Sequence, residues 1–569
     1  MSGRINSLNN GYVGSSAEIP TCSVALGVVT PRKQYIRALE IDQWERPDYW
    51  LPLPTVSETE QKIVGLYPIF KGASGATGAS ADSNWITFTI VGATYVVDWG
   101  VTTAARPNGV TTAHSSNTAA LFQYNWNDVP PTTETPQGHR QAIVQIYPQV
   151  AGTTFTQLIF NRAFVLSGFS FSANTASLWL DLKVSARAAI ACFANLRLLK
   201  KIEFIGPLQN VNSNQIDNTG LLGNCVSLER IVGTRWTENI TDGLRLLNNC
   251  YSLRTFPLID TRKMTTQFAM FDGCLSLNHF PCIDTSKVVS FSYLLRFARN
   301  LVEIPFLNTS SGTNFSVFLQ NTSALESIPP FDTRNATDTS NMLDGSGIKK
   351  MPWIDMSKVT NAGAMFQSCS RLKELPLLNT GNVRNFNNFI NSAFTLEELP
   401  PIDTSKGQAF FGFAQNATCL SRLPGLSFAG VTGHPSQWLG NSQPVFYNML
   451  YRTRKLLQVP EWDFSHINHG PTSAVGTGAT GPFQFMFGDD VQTGVRVMGI
   501  KGFRRSLTLQ NMVLSPTELN RIFTNLEGVT AVGGATINIT GVWGATASAA
   551  FGRTADRTIA TNKGWTVVG

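Results

Sequence analysis

Six histidines in 569 residues leave little for metal or acid–base chemistry to work with. His466 and His469 are the only close pair, and no third ligand stands at zinc-site spacing. There is no glycine-rich phosphate loop followed by Lys and Ser/Thr, and no Gly-x-Ser-x-Gly nucleophile elbow. Carboxylates do recur in a row: Asp260, Asp284, Asn308, Asp332, Asp355, Asn379 and Asp403, mostly followed by Thr. A catalytic row is the sharper reading. Recurrence in every repeat favours a capping role, in which a short side-chain oxygen accepts backbone N–H groups of the following turn. Eight cysteines show no Cys-x-x-Cys spacing. No catalytic residue, no cofactor site and no metal site is expected, and the chain is expected not to be an enzyme. A glycan-cleaving carboxylate pair is a three-dimensional arrangement that spacing does not reveal, so it stays open.

The row of carboxylates points to the element that carries it. A Leu followed three positions later by an apolar residue, and then usually Pro, recurs at Leu228, Leu253, Leu277, Leu301, Leu325, Ile348, Leu372, Leu396, Leu420 and Leu456. The spacings are 25, 24, 24, 24, 23, 24, 24, 24 and 36. Such a period implies a solenoid of about ten coils, each contributing one short strand and stacking its apolar positions on the next. Leu277, Phe280 and Ile283 are expected to face inward, as are their equivalents Leu372, Leu375 and Leu378. Cys225, Cys250, Cys274 and Cys369 share one repeat position with Ala298, Thr322, Ala393 and Ala417. That substitution pattern fits a small buried slot rather than a disulfide framework or metal site.

The rest of the chain is divided by composition. Charged residues are 14% against a usual quarter or so, hydrophobic residues are 43%, and the net charge is +7. No nucleic-acid partner follows from so thin an excess, and no apolar run is long enough for a membrane helix, so no membrane insertion is expected. Residues 1–54 read as a docking arm, with Tyr35, Trp44, Tyr49 and Trp50 as its contact residues; packing on the chain's own next domain is the alternative. Residues 55–150 alternate apolar and polar positions between turns, as an antiparallel β-sandwich does. Residues 151–219 form the lead-in and N-terminal cap of the solenoid, 220–465 the repeats, and 466–569 a loop insertion and C-terminal α/β cap. Within the cap, Ser515, Pro516 and Glu518 spell a helix start with a capping box. Insertions at 430–446 and 466–481 lengthen two coils, and Trp438, Tyr447, Tyr451 and Trp462 make that region a candidate contact rim, with core packing as the alternative for each.

Two resemblances sharpen this mainly β architecture. Tyr95-Val96-Val97-Asp98-Trp99-Gly100 with Gly138-His139-Arg140-Gln141-Ala142-Ile143-Val144 resembles the polycystic-kidney-disease type of β-sandwich, although Val101-Thr102 replaces the usual Asp-Gly of its turn. The repeat, written Phe271-Asp272-Gly273-Cys274-Leu275-Ser276-Leu277-Asn278-His279-Phe280-Pro281-Cys282-Ile283-Asp284-Thr285-Ser286, resembles the BspA-like surface leucine-rich repeats over roughly residues 220–465. That resemblance implies a bacterial adhesin or a tailed-phage protein. The N-terminal sequence lacks the apolar stretch of a secretory signal, which favours a phage virion protein, a tail fibre or surface appendage, located on the extracellular particle. Its expected partners are other virion proteins through the arm and a host surface glycan or protein through the solenoid. A homo-oligomer is expected, with a trimer favoured. A bacterial surface adhesin and a polysaccharide depolymerase are the alternatives.

Overall fold

The computed structural model describes residues 44–71, 84–103, 105–160, 164–166, 169–171, 178–188, 190–209, 220–257, 259–431, 445–465, 486–487, 493–504, 506–529, 535–546 and 554–569. The chain is mainly β. Its first part carries β1 (Lys62–Phe70), β2 (Trp85–Val91), β3 (Tyr95–Asp98), β4 (Thr111–His114), β5 (Ala119–Gln123), β6 (His139–Pro148), β7 (Gln157–Ile159), β8 (Phe164–Leu166), β9 (Phe169–Phe171), β10 (Asp181–Ser185), β11 (Ile190–Cys192), β12 (Lys201–Phe204) and β13 (Arg230–Val232). Seven of these form one sheet in the order β13-β12-β10-β1-β6-β3-β4, and four form a second in the order β11-β7-β2-β5.

Strand alternation fills the space between the two sheets. Ile63, Tyr67 and Ile69 of β1 join Ile86, Phe88 and Ile90 of β2 in one buried cluster, while Leu66 points to the opposite face. Gly65 sits on the inner face because a Cβ there would lie 2.4 Å from the Trp179 ring. At the Asp98-Trp99-Gly100 turn, Gly100 takes φ 68° and donates its N–H to Asp98 Oδ1 at 2.9 Å. A side chain at that glycine would strike the Ile143 carbonyl.

The sandwich continues past residue 150, where its end was expected. β10 pairs antiparallel with β1, and β7 pairs antiparallel with β2. The same two strands then pair in parallel with β12 and β11. Both sheets thus change from antiparallel to parallel pairing at the edge where the repeats begin, so the first repeat grows directly on the sandwich.

Beyond β13 the expected strand in each coil is absent: no strand occurs among the described residues until β14 (Gln458–Asp463). Isolated parallel bridges replace it, running Ser290–Asn314–Asp338–Asn361–Asn385–Ala409. The reason lies in the backbone. Ala269, Phe271 and Gly273 donate their N–H groups forward to the carbonyls of Ser292, Leu294 and Arg296, at 3.2, 3.1 and 2.8 Å. Met270, Asp272 and Cys274 donate back to Gln267, Ala269 and Phe271. Each turn is therefore a run of tight turns whose alternate amides bond along the stack. Such a run needs left-handed residues four apart, seen at Ala269 and Gly273 and again at Tyr293 and Phe297. Asn, which tolerates that region best after Gly, holds the equivalent sites at 224, 249, 321, 341, 388, 416 and 448.

This ladder spans the first lengthened coil with four bonds, and one described bond spans the second. Phe410, Gly412, Ala414 and Asn416 donate to Val445, Tyr447, Met449 and Tyr451, and Leu450 donates to Met486. Thirteen and twenty residues of those coils, 432–444 and 466–485, lie outside the described residues. The far end carries β15 (Val497–Lys501), β16 (Leu507–Thr508), α1 (Pro516–Asn525), β17 (Thr536–Asn538), α2 (Trp543–Thr546), α3 (Thr558–Thr561) and β18 (Thr566–Val568). β14 pairs in parallel with β15, and β16, β17 and β18 make a small parallel sheet. Ser515 caps α1 by accepting the Glu518 N–H at 3.1 Å. The capping box is only half made, because Glu518 turns away to accept the Met498 N–H and to pair with Arg521. Leu519, Ile522, Phe523 and Leu526 are buried as their spacing requires.

Candidate binding faces of the stacked repeats

The recurring Asp or Asn builds the corner of six turns, whereas at the seventh Asn379 accepts the Met356 N–H of the preceding turn. Asp284 Oδ1 accepts the Ser286 N–H at 2.8 Å, and Asp260, Asn308, Asp332, Asp355 and Asp403 each accept the N–H two residues on. These are Asx-turns, as expected. The following Thr is buried and faces along the stack: Thr261, Thr285, Thr309, Thr333, Thr380 and Thr404 donate Oγ1–H to a carbonyl of the next turn at 2.7–3.0 Å. The carboxylates are thus spent on backbone N–H groups and adjacent cations. Asp260 and Asp332 are held below the usual carboxylate range first by the side chains of Arg262 and Arg334 beside them. A general acid needs the opposite shift.

The cysteine slot is equally structural. Cys225, Cys250, Cys274 and Cys369 are buried free thiols, and their Sγ–H groups donate to carbonyls of the preceding turn. Burial pushes the Cys225 and Cys369 thiols up to about 12, so neither is a nucleophile at neutral pH. Alkylation of native protein is expected to spare these four and to reach the half-buried Cys419 first, with all four labelled once denaturant is added. Peptide mapping by mass spectrometry reads this directly, and early labelling of Cys250 would contradict the packing.

Among the described residues, no group of three His, Cys, Asp or Glu is placed to hold a metal ion. A polar cavity of about 400 Å³ lies where the last coil meets the cap, lined by Asp463, Ser465, Lys501, Asn525 and Lys563. Its cations are already engaged: Lys563 donates to the Thr524 and Leu526 carbonyls at the end of α1, and Lys501 pairs with Glu461 and Asp463.

The residues expected to make contacts are scattered. Tyr35 and Trp438 lie outside the described residues. Trp50 is buried against Leu66 and Leu180, with Trp44, Leu51 and Leu53 beside it, on the outer face of the seven-stranded sheet. Arg46 fixes that segment by donating to Asp181 at 2.8 Å and to the carbonyls of Trp50 and Leu51. Trp44 and Trp50 therefore pack on the chain's own sandwich, and of the three described aromatic contact candidates only Tyr49 is exposed. Trp462 is fully buried, edge-on to Phe428, so it belongs to the core and not to a rim. Tyr447 and Tyr451 are half-buried in the turn that follows the first insertion. Tyr447 stacks on Phe411 at 5.8 Å, and Arg452 lies 4.8 Å from the Tyr451 ring.

The outward residues that sequence reasoning missed sit five places after the anchoring Leu. Inward positions are the anchor and the third and sixth residues after it, so the fifth points to solvent. Trp353 is 58% exposed and Leu377 is 65% exposed at that place in consecutive turns. Apolar residues at a position the inward pattern excludes were the available signal.

Residues 246–352 and 348–420 match a family model described as "Mycoplasma protein of unknown function, DUF285". These repeats are similar to DUF285. The two matches meet at 348–352 and together span about a third of the chain, all of it within the stacked turns. No curated protein matches. Among solved structures, "Plant peptide hormone receptor RGFR1 in complex with RGF2" is similar at 10% identity, covering 63% of this chain and 68% of that chain with a TM-score of 0.17.

Proposed function

We propose that this chain is a non-enzymatic surface-attachment protein: a leucine-rich-repeat solenoid of about ten coils, carried on a polycystic-kidney-disease-like sandwich and closed by an α/β cap, that binds a glycan or protein on a cell surface. The observation that carries this reading is the division of labour within each turn. Inner positions, the Asx corner and the Thr rung are repeated, whereas outward positions vary freely, as in Trp353, Leu377 and their charged neighbours. A scaffold of that kind changes what it displays without changing how it folds.

The resemblance of the repeats to BspA-like surface leucine-rich repeats, over turns that also match DUF285, favours a cell-surface adhesin. The expectation of a phage tail fibre finds no support in the matches, which name no virus. Incubation of the labelled full-length chain with an array of bacterial and animal cell-surface glycans and matrix proteins tests the reading. Retention of a defined subset, lost on heat denaturation, is expected; uniform absence of retention overturns it. Release of reducing ends from capsular polysaccharide would replace it with a depolymerase.

A further inference from the structure

The exposed apolar residues form a line. Counting five places from each anchor gives Phe306, Pro330, Trp353, Leu377 and Pro401 in five successive turns. Pro330, Trp353, Leu377 and Pro401 are exposed, and Phe306 is half-buried. At one strand spacing per turn the line is roughly 19 Å long. A stripe of this kind on an otherwise polar wall marks an interaction surface.

The charges beside the stripe say what fits it. In the five turns anchored at Leu325, Ile348, Leu372, Leu396 and Leu420, the first and second residues after the anchor are exposed. From one turn to the next they read Glu326, then Lys349 and Lys350, then Lys373 and Glu374, then Glu397 and Glu398, then Arg422. The turn holding Leu377 is the midpoint of this series. Summed by turn these charges read −1, +2, 0, −2 and +1, so on reversal about that midpoint Lys349 and Lys350 face Glu397 and Glu398 row for row, Glu326 faces Ser421 with Arg422 one place along, and the neutral Lys373 and Glu374 turn faces its own copy. The pattern is antisymmetric, which is what an isologous contact requires of one patch meeting itself.

We infer that this wall binds a second copy of the same chain, antiparallel, about a two-fold axis passing at Leu377. A two-fold axis lying in the plane of contact and across the stack keeps each row opposite itself while inverting the order of turns. The last three residues of the stripe then pack on themselves: Leu377 meets Leu377 and Trp353 meets Pro401 of the partner subunit, while Pro330 falls opposite Gly425 of the partner subunit. The flanking charges close into cross-chain pairs on one side. Within one chain these groups already pair along the stack, Lys349 with Glu326, Lys350 with Glu374 and Arg422 with Glu398. These are exposed pairs worth little singly, so exchanging partners costs little. Trp353 is the anchor of the contact, being the largest exposed side chain at its centre.

Sedimentation of the full-length chain across a range of concentrations tests this. A reversible dimer is expected. Trp353→Asp with Leu377→Asp is expected to weaken it by about 100-fold or more while leaving the far-ultraviolet circular dichroism unchanged, because both side chains are exposed. The fourfold reversal of Lys349 and Lys350 to Glu and of Glu397 and Glu398 to Lys is expected to dimerise as the natural chain does, whereas reversal of the two lysines alone weakens the dimer. A monomer at every concentration, a trimer, or a dimer indifferent to Trp353→Asp with Leu377→Asp overturns the inference. None of these outcomes touches the attachment reading, which the array tests on its own.

Discussion

Replacing Phe410 with alanine is expected to cost about 3–5 kcal/mol, the usual range for emptying a buried aromatic site. Phe410 is fully buried and stacks between turns, on Phe386 at 5.5 Å and on Phe446 at 5.9 Å, with Phe428 edge-on at 5.1 Å. Its position magnifies the effect. Phe446 belongs to the turn after a lengthened coil, so this ring column carries packing across the place where the chain departs from its period. In a stack that contacts only its nearest neighbours, a weakened joint divides the molecule into two cooperative units. Urea unfolding followed by tryptophan fluorescence is expected to show an early transition reported by Trp462, which lies 5.5 Å from the Phe428 ring. A single transition at the natural midpoint would show that the column does not couple the two halves.

Asp181→Ala is expected to release the segment around Trp50 from the sandwich. The Asp181 side chain is fully buried, and its Oδ2 accepts from Arg46, whose side chain is 26% exposed. Oδ1 has no partner among the described residues. Breaking a buried pair costs about 3–5 kcal/mol, and the partial exposure of Arg46 places this one toward the lower end. The loss falls on a local element: Arg46 also holds the Trp50 and Leu51 carbonyls, and Gln141 holds the Leu51 N–H and Tyr49 carbonyl, so the segment comes away as a unit. Limited proteolysis is expected to cut between residues 44 and 60 in the variant and not in the natural chain. Equal resistance in both would mean that the apolar contact of Trp50 with Leu66 and Leu180 holds the segment alone.

The stacked turns were legible because period and burial are linked. A residue that must pack on its own equivalent one turn away has to recur at the repeat length, so Leu277, Phe280 and Ile283 could be placed inward from spacing, and all three are buried. The Asx corners were legible for a related reason: Asp284 bonds to an amide only two residues away, so its partner is fixed by sequence distance. The strands at 62–70, 85–91, 95–98 and 139–148 lie on the β-rich runs at 61–67, 85–90, 95–99 and 142–147; burial alternates in the last two, whereas the first two are buried on both faces.

Where partners are distant in sequence, the residue types fitted more than one answer. The aromatic segment around Trp50 suits any apolar surface, and only the fold shows that its own sheet supplies one through Leu66 and Leu180. Trp462 suits a rim or a core; Phe428 and the closing turn put it in the core. The Glu518 carboxylate could have completed its own helix cap, but β15 offers it the Met498 N–H instead.

The repeat, its inward positions, its polar corners and its small buried slot follow from the order of residues alone, because each depends on contacts within one turn or between identical positions of adjacent turns. That the turns stack through alternating tight turns rather than strands is visible only in the fold, since Asn and Gly mark some of the left-handed sites but Ala269, Tyr293, Phe297 and Val317 hold others. The fold also sets where the sandwich ends, because β10 pairs with β1 across more than a hundred residues of chain and then with β12 as the first parallel partner. Which outward residues gather into one stripe was likewise a matter of stacking geometry, which brings residues 24 positions apart side by side.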